Sequence, residues 1–599
     1  MKKYLFIALA LLGMASCAKD DLNAGNKPNH NGEVEESYIA INLMAADSDT
    51  RADETYGENY GLEYGTADER KVSSAHFFFF KNGEPFTVNQ TEEAATAPGG
   101  TQNHLQLAIT NKTSNNGEPA QNISDISNAV LVLKTYKGEY PNQIVAVLNW
   151  TPESISYELD DLLSTIQAKS LGNNDQGYVM SNSVYMNNAN EPVYVTPITA
   201  DNIKTEETAA LDTPVDIYVE RTAAKVIVTN TKAADNRYKV TEDNGFTPVG
   251  AAARNVYVEL LGWELYNEFE NTNLLKNIEN WDPATLGLTW NDSPYFRSYW
   301  AKTMNSRSSD DNDKFSWEYT QDTGVGVSTF GGGFPTQYGY AVASTADYTK
   351  TNTYTYCGEN TLQTVTDTEG KVTSDPRTKV ILKGRLVEEK NGGYEPLELA
   401  RWYGNEYAGE EALRIAVANS LKYTLYSSSN GTNFDPIRPE DLMCVAGSVV
   451  GADAYEVGFQ LSSTDDDGLG DDKTWYQYNS TQGYALLGTA DNHDSNTTAT
   501  NSYLKGVQPA LLYKTGQTYY IVDIEHLGVA GKPAEYGLVR NHVYQIDIQS
   551  IKGYGSPVYT GTGNIITPEY PEVDESSYVA ARINVLSWKV VKQQVDIVQ

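Results

Sequence analysis

The 599-residue chain is poor in cysteine, histidine and positive charge: it has three Cys, six His and 44 Lys+Arg against 79 Asp+Glu, a formal net charge of −35. That deficit excludes a nucleic-acid binder, which needs a basic surface to meet phosphates. The histidines (His30, His76, His104, His493, His526 and His542) are scattered and form no HExxH or other metal-ligand spacing. A GxSxG elbow and a phosphate loop ending in GK[ST] are both missing. Gly331-Gly332-Gly333 runs into Phe334-Pro335 and reads as a loop. Asp465-Asp466-Asp467-Gly468 would put Ser463 and Thr474 where a calcium loop wants Asp and Glu, so it reads as an acidic surface loop. No catalytic residue, metal or cofactor is therefore expected. Long apolar runs are also lacking. Beyond Tyr4–Leu12, nothing approaches the ~18 residues of a spanning helix.

What is plentiful is tyrosine, threonine, glycine and asparagine, with 42 Tyr against 14 Phe. Tyr and Thr favour pleated, half-wetted surfaces, and Gly and Asn favour turns, so the composition points to an all-β, extracellular protein. Strands are expected at Val72–Phe80, Ala129–Lys134, Gln143–Leu148, Val215–Val228, Val256–Tyr266, Lys379–Val387, Tyr519–Ile524 and Leu538–Ile551. Two segments read as helices. Ile155, Leu159, Leu162, Leu163 and Ile166 fall on one helical face after Thr151-Pro152, and Glu411–Lys422 repeats the pattern.

The two ends of the chain are distinctive. Residues 1–17 (MKKYLFIALALLGMASC) have a basic start, a short apolar stretch and small residues before Cys17. They resemble a bacterial lipoprotein signal, with Cys17 as the lipidated residue. Cys357 and Cys444 would then remain, either paired or as two buried thiols. A polar tether, 18–36, leads to a strand pattern in which Ile39, Ile41 and Leu43 alternate with Ala40 and Asn42. Arg51 follows in a polar loop suited to proteolysis, with Arg70 as a competing site closer to the first core strand. At the other end, the Gly/Pro-rich segment 553–576 reads as a linker. After it, Val579, Ala581, Ile583 and Val585 alternate as in a strand, and Trp588 and Val590 continue the apolar set. Such a strand either folds back into its own domain or serves another subunit by strand addition.

Several blocks together resemble the major stalk subunit (fimbrillin) of Bacteroidales type V fimbriae, closest to the short, minor-type fimbria. They are the lipoprotein start, Arg51-Ala52, Val219-Glu-Arg-Thr-Ala-Ala-Lys-Val226, Val539-Arg-Asn-His-Val-Tyr544, Ile548-Gln-Ser-Ile-Lys552 and Ile583-Asn-Val-Leu-Ser-Trp-Lys-Val590. The resemblance implies two transthyretin-like β-sandwich domains with a few short helices and a C-terminal donor strand. It divides the chain into a signal peptide (1–17), a propeptide with a removable plug strand (18–51), an N-terminal domain (52–228), a C-terminal domain (229–552), and a linker with donor strand (553–599). It implies an outer-membrane lipoprotein precursor, palmitoylated at Cys17, that is cut between Arg51 and Ala52 by an Arg-specific protease. Loss of the plug strand (Ile39, Ile41, Leu43) would open a groove for a neighbour's donor strand (Val579, Ala581, Ile583, Val585, Trp588, Val590). The expected product is a cell-surface fimbrium serving adhesion and biofilm formation. Its partners would be copies of itself, anchor and tip subunits, and host or bacterial surface receptors. The competing expectations are a tip or anchor subunit, and a surface glycan-binding lipoprotein.

Overall fold

The computed structural model describes residues 33–45, 69, 71–90, 102–107, 129–168, 177–186, 192–230, 237–240, 255–266, 269, 271–278, 283–287, 300–303, 341–342, 354–369, 372–452, 456–462, 473–489, 492–514, 516–557 and 578–587. The chain is all-β with short helices, as its composition implies. The first body is a ten-stranded sheet built on β1 (Val34–Ala45), β2 (Ala75–Lys81), β3 (Ala129–Tyr136), β4 (Gln143–Leu148), β5 (Met180–Asn182) and β6 (Val215–Arg221). Its main path runs β1-β6-β5-β4-β2, and β3 joins the other half of β1. Phe77 and Phe79 of β2, Ile144 and Ala146 of β4, and Ile39, Ile41 and Leu43 of β1 share one core. Phe78, Phe80, Val145 and Val147 face the other way into a second cluster. This explains the continuous apolar run HFFFF: the strand is buried on both faces, so it need not alternate.

The second body is a β-sandwich. One layer contains β7 (Ala224–Asn230), and the other contains β8 (Val256–Tyr266). β9 (Tyr354–Cys357) pairs with β7, and β10 (Lys379–Lys390) pairs with β8. Inserted after β10 is a separate small body with its own core around Trp402, Leu413, Phe459 and Trp475. It carries β11 (Leu425–Ser428), β12 (Thr474–Asn479) and β13 (Gly483–Leu486). The sandwich then resumes with β14 (Gln517–Asp523) on β10, and β15 (His542–Lys552) parallel to β7. The last strand, β16 (Tyr578–Ser587), pairs antiparallel with β15 at the edge of that layer.

One expectation needs correction. The helix expected from Thr151 is only Leu159–Ser164 (α1), and Ile155 is 60% exposed. The Tyr157 hydroxyl accepts from the backbone N–H groups of Glu153 and Ser154, and the Tyr157 N–H donates to Asn103 Oδ1. These bonds hold the segment as a loop, and Ile166 begins a short strand, Ile166–Ala168. The first sheet ends with β6 and the second begins with β7, so the two meet at Thr222-Ala223. The other expected helix is present as Gly409–Leu421 (α2), with Leu413, Val417, Ala418 and Leu421 buried. A polar helix, His493–Leu504 (α3), carried no apolar period to reveal it; Asn492 caps it by accepting from Ser495 N–H.

The cysteine alternatives are decided by packing. Cys357 and Cys444 are buried in different cores and are not bridged to each other, and burial pushes the Cys444 thiol up to about 12. Two of the scattered histidines also meet: His76 Nδ1 lies 2.9 Å from His104 Nε2, and Phe78 stacks on His104. Burial, with a smaller effect from His76, drives His104 from 6.5 down to about 4. An unfolded imidazole protonates near 6.5, so the unfolded state takes up the proton first as pH falls. Stability is therefore lost progressively between about pH 6.5 and about 4. Urea denaturation at pH 7 and pH 5 should show a smaller stability difference in His104→Gln than in the wild-type chain. An unchanged difference would remove His104 as a source of the pH dependence.

Candidate assembly site

β1 is the seam of the first body. Its N-terminal half runs antiparallel to β3, from Val34 opposite Tyr136 to Ile41 opposite Ala129. Its C-terminal half runs parallel to β6, from Ile41 opposite Val215 to Ala45 opposite Val219. Ile39 and Ile41 are fully buried and Leu43 is nearly so. All three touch the core formed by Phe77, Leu131, Ile144 and Ile217. A strand 34 residues from the start of the chain thus supplies a central element of the sheet, which accounts for its alternation of Ile, Ala and Leu.

β16 occupies the opposite kind of position. Among the described residues it has one strand partner, β15, running from His542 opposite Ser587 to Lys552 opposite Tyr578, with a register shift between Ile548 and Ser550. Val579, Ala581, Ile583 and Val585 lie on it, whereas Trp588 and Val590 fall outside the described residues. Cys17, Arg51, Ala52 and Arg70 also fall outside them, as do the Gly331–Gly333 and Asp465–Gly468 loops. Among the described residues, no group of three His, Cys, Asp or Glu side chains could hold a metal ion. No helix there is long and apolar enough to cross a membrane.

Between the two bodies lies a set of buried charges, several of them within the expected strand Val215–Val228. Glu220 and Lys276 form an ion pair at 2.8 Å, with both side chains fully buried. Lys225 Nζ lies 2.7 Å from Glu69 Oε1, also buried, and the Tyr356 hydroxyl donates to the same oxygen. Lys225 also sits over the Tyr354 ring, 4.1 Å from its centroid. Arg221 donates through Nε to the Glu69 carbonyl at 2.6 Å and through Nη1 to Asn541 Oδ1. Burial pushes the Glu69 carboxyl up, but the Lys225 charge, the hydrogen bonds from Lys225 and Tyr356, and the Arg221 charge together leave it below 4.5. Nearby, Arg540 reaches Glu359 Oε2 and the Asn273 carbonyl, each at 2.6 Å.

The blocks VERTAAKV and VRNHVY therefore meet in space. Lys225 is opposite Val543 in the parallel pairing of β7 and β15, and Asn541 N–H donates to the Ala223 carbonyl. Asn541 has a φ of 57°, a left-handed conformation that Asn tolerates better than most residues. What sequence reasoning missed was that Glu220, Arg221 and Lys225 point inward. The available signal was charge placed inside an otherwise apolar β run, which is costly unless it is paired.

Residues 511–594, which include β14, β15 and β16, match the family described as major fimbrial subunit protein type IV, fimbrillin, C-terminal. The match likens this C-terminal segment, rather than the whole chain, to a major fimbrial subunit. Solved structures of low similarity include a fimbrilin (fimA) from Porphyromonas gingivalis W83, at 11% identity, covering 93% of this chain and 98% of that one, with a TM-score of 0.33. The tip fimbrial protein Mfa3 from Porphyromonas gingivalis with C-terminal truncation has 12% identity, coverage of 92% and 100%, and a TM-score of 0.29. A fimbrial assembly protein from Parabacteroides distasonis has 9% identity, coverage of 76% and 100%, and a TM-score of 0.25. No curated protein matches the sequence.

Proposed function

We propose that this chain is a fimbrial stalk subunit that polymerises by strand exchange after its β1 segment is cut away. The observation that carries the reading is the contrast between its two terminal strands. Among the described residues, β1 pairs with strands on both sides at the centre of one body, and β16 pairs with a single strand at the edge of the other. Cleavage between Arg51 and Ala52 separates β1 from the rest of the chain, so it loses the high effective concentration that tethering gave it. Its departure leaves open edges on β3 and β6 above an apolar floor, a template for another strand. A neighbour's β16 exchanges one-sided pairing on β15 for pairing with both β3 and β6. Insertion of several apolar side chains at ~1.5–3 kcal/mol each gives on the order of 10 kcal/mol before ordering costs.

Segment 558–577 joins β16 to its own sandwich, and 20 extended residues span at most about 70 Å. That is ample reach into an adjacent subunit. The contact is head-to-tail and does not close on itself, so it propagates a filament. A donor strand at the C-terminus favours a stalk over a tip, and the Arg51 site favours a stalk over an anchor, which would keep β1. In this reading the precursor reaches the outer membrane as a lipoprotein through Cys17, and the filament serves adhesion and biofilm formation.

Treating the purified precursor with an Arg-specific protease should create a new N-terminus at Ala52 and an oligomer ladder that survives mild detergent. The Arg51→Ala chain should remain a folded monomer under the same treatment. Clean cleavage without oligomers, from a chain whose C-terminus is intact by mass spectrometry, would rule strand exchange out.

A further inference from the structure

The inserted body carries a surface that polymerisation does not use. One face of its sheet of β11, β12, β13 and the short strand Asp435–Pro436 packs on the body's core through Leu425 and Trp475. The opposite face is aromatic. Tyr476 lies between Tyr426 and Leu486, Tyr478 lies opposite Tyr484, and Tyr426 lies opposite Pro436. Phe434 stacks on Tyr484 with centroids 3.8 Å apart and planes 5° apart, and meets Tyr476 edge-on at 5.0 Å. Tyr426 meets Tyr484 edge-on at 5.0 Å. These mutual contacts hold the rings in place without hiding them: Tyr478 and Tyr484 are 37% and 40% exposed, and Tyr423 beside them is 70% exposed.

The polarity of the surface indicates what it binds. None of the outward positions in these register pairs carries a charge, although the chain as a whole has a net charge of −35. Each tyrosine offers an apolar ring and a hydroxyl at its rim. At one edge of the face an amide is fixed by its own turn. Asn430 Oδ1 accepts from the N–H groups of Thr432 and Asn433, and among the described residues its Nδ2 donates to no protein group, so it remains available to a ligand. An anionic ligand would meet the acidic field of the chain, and the register-paired positions of the sheet carry no cation to offset it; Lys422 lies over the Tyr423 ring at the margin of the face, 5.1 Å from its centroid. A cationic partner would find no carboxylate there. A neutral polyhydroxylated ligand suits it: the C–H faces of a pyranose ring lie on the aromatic rings, and its hydroxyls meet Tyr hydroxyls and the Asn430 amide.

We propose that this face is a binding site for neutral glycan chains, displayed on the inserted body apart from β1 and β16. It does not depend on the strand-exchange reading, since the unprocessed monomer already presents the face. Isothermal titration of the full, uncut chain with laminarihexaose, cellohexaose and mannohexaose tests it, with hexagalacturonate as the anionic control. At least one neutral hexasaccharide should bind, and hexagalacturonate should bind roughly tenfold more weakly or not at all. Tyr478→Ala and Tyr423→Ala should each weaken the neutral ligand by roughly tenfold, whereas Tyr478→Phe, which keeps the ring, should stay within about threefold. Tyr423 is so exposed that its loss leaves the fold intact, which separates lost binding from lost structure. Absence of binding by all three neutral sugars would overturn the proposal, as would unchanged affinity in both alanine variants. So would a wild-type dimer that Tyr478→Ala converts to monomer, because a second copy would then cover the face.

Discussion

A processed subunit lacking residues 578–599 is expected to form no filament. The effect should be all-or-none, because each junction in a head-to-tail polymer needs one donor strand. The truncated chain keeps β1, Arg51 and the groove-forming strands β3 and β6, so it can still accept a donor after cleavage. It should therefore act as a chain terminator: mixed with wild-type precursor before proteolysis, it should shorten the oligomer ladder in proportion to its mole fraction. Removing β16 costs the sandwich only its edge strand, and the truncated precursor should remain folded by circular dichroism. Native gels of the cleaved mixtures decide the matter. A ladder of undiminished length, or oligomers formed by the truncated chain alone, would show that β16 is not the donor.

The second large effect is expected at the junction of the two bodies. Lys225→Met removes the cation facing Glu69 while keeping most of the side-chain volume. The Glu69 carboxylate is then left in a buried site with the Tyr356 hydroxyl and the Arg221 guanidinium. Removing one partner of a buried ion pair costs about 3–5 kcal/mol, because the survivor is both desolvated and uncompensated. Lys225→Met combined with Glu69→Leu should recover most of that loss, since an apolar pair of similar volume leaves no stranded charge. Guanidinium denaturation of the wild-type chain and the two variants measures both numbers. Equal loss in the single and double variants would mean that the pair is held by packing alone. The Glu69 contribution also has a pH signature: its carboxyl is held below 4.5, so the stabilisation is present above that value and is lost as pH falls through the folded value.

The buried pair bears on assembly as well. Glu69 lies in the chain after Arg51 and bonds to β7 of the second body through Lys225, so the retained N-terminal segment is tied across the junction. Arg540, inside VRNHVY, ties the same body to Asn273 and Leu274. Leu274 and Leu275 in turn pack with Phe78 and Phe80 of the first body. The two bodies are thus joined by ion pairs and by a shared apolar cluster. A stalk made of such subunits would carry load through the subunit as well as through the exchanged strand.

The local period of the chain was sufficient to locate most strands. Alternation at Ile39, Ile41 and Leu43 marked β1, and Gln143–Leu148 and Val256–Tyr266 coincide with β4 and β8, because side chains on a strand must alternate between core and solvent or be buried on both faces. The same pattern marked β16 as a strand but left its partner open, since period two says nothing about which edge a strand will join. Tertiary structure decided that it pairs with β15. It also decided that Ile155 stays outside a helix, because Asn103 and the Tyr157 hydroxyl claim the backbone that a helix would need. Glu220, Arg221 and Lys225 read locally as polar breaks in an apolar run. Only the meeting of Glu69, Lys276, Tyr356 and Asn541 from distant parts of the chain makes their burial affordable, since a charge leaves water only where its partners already wait.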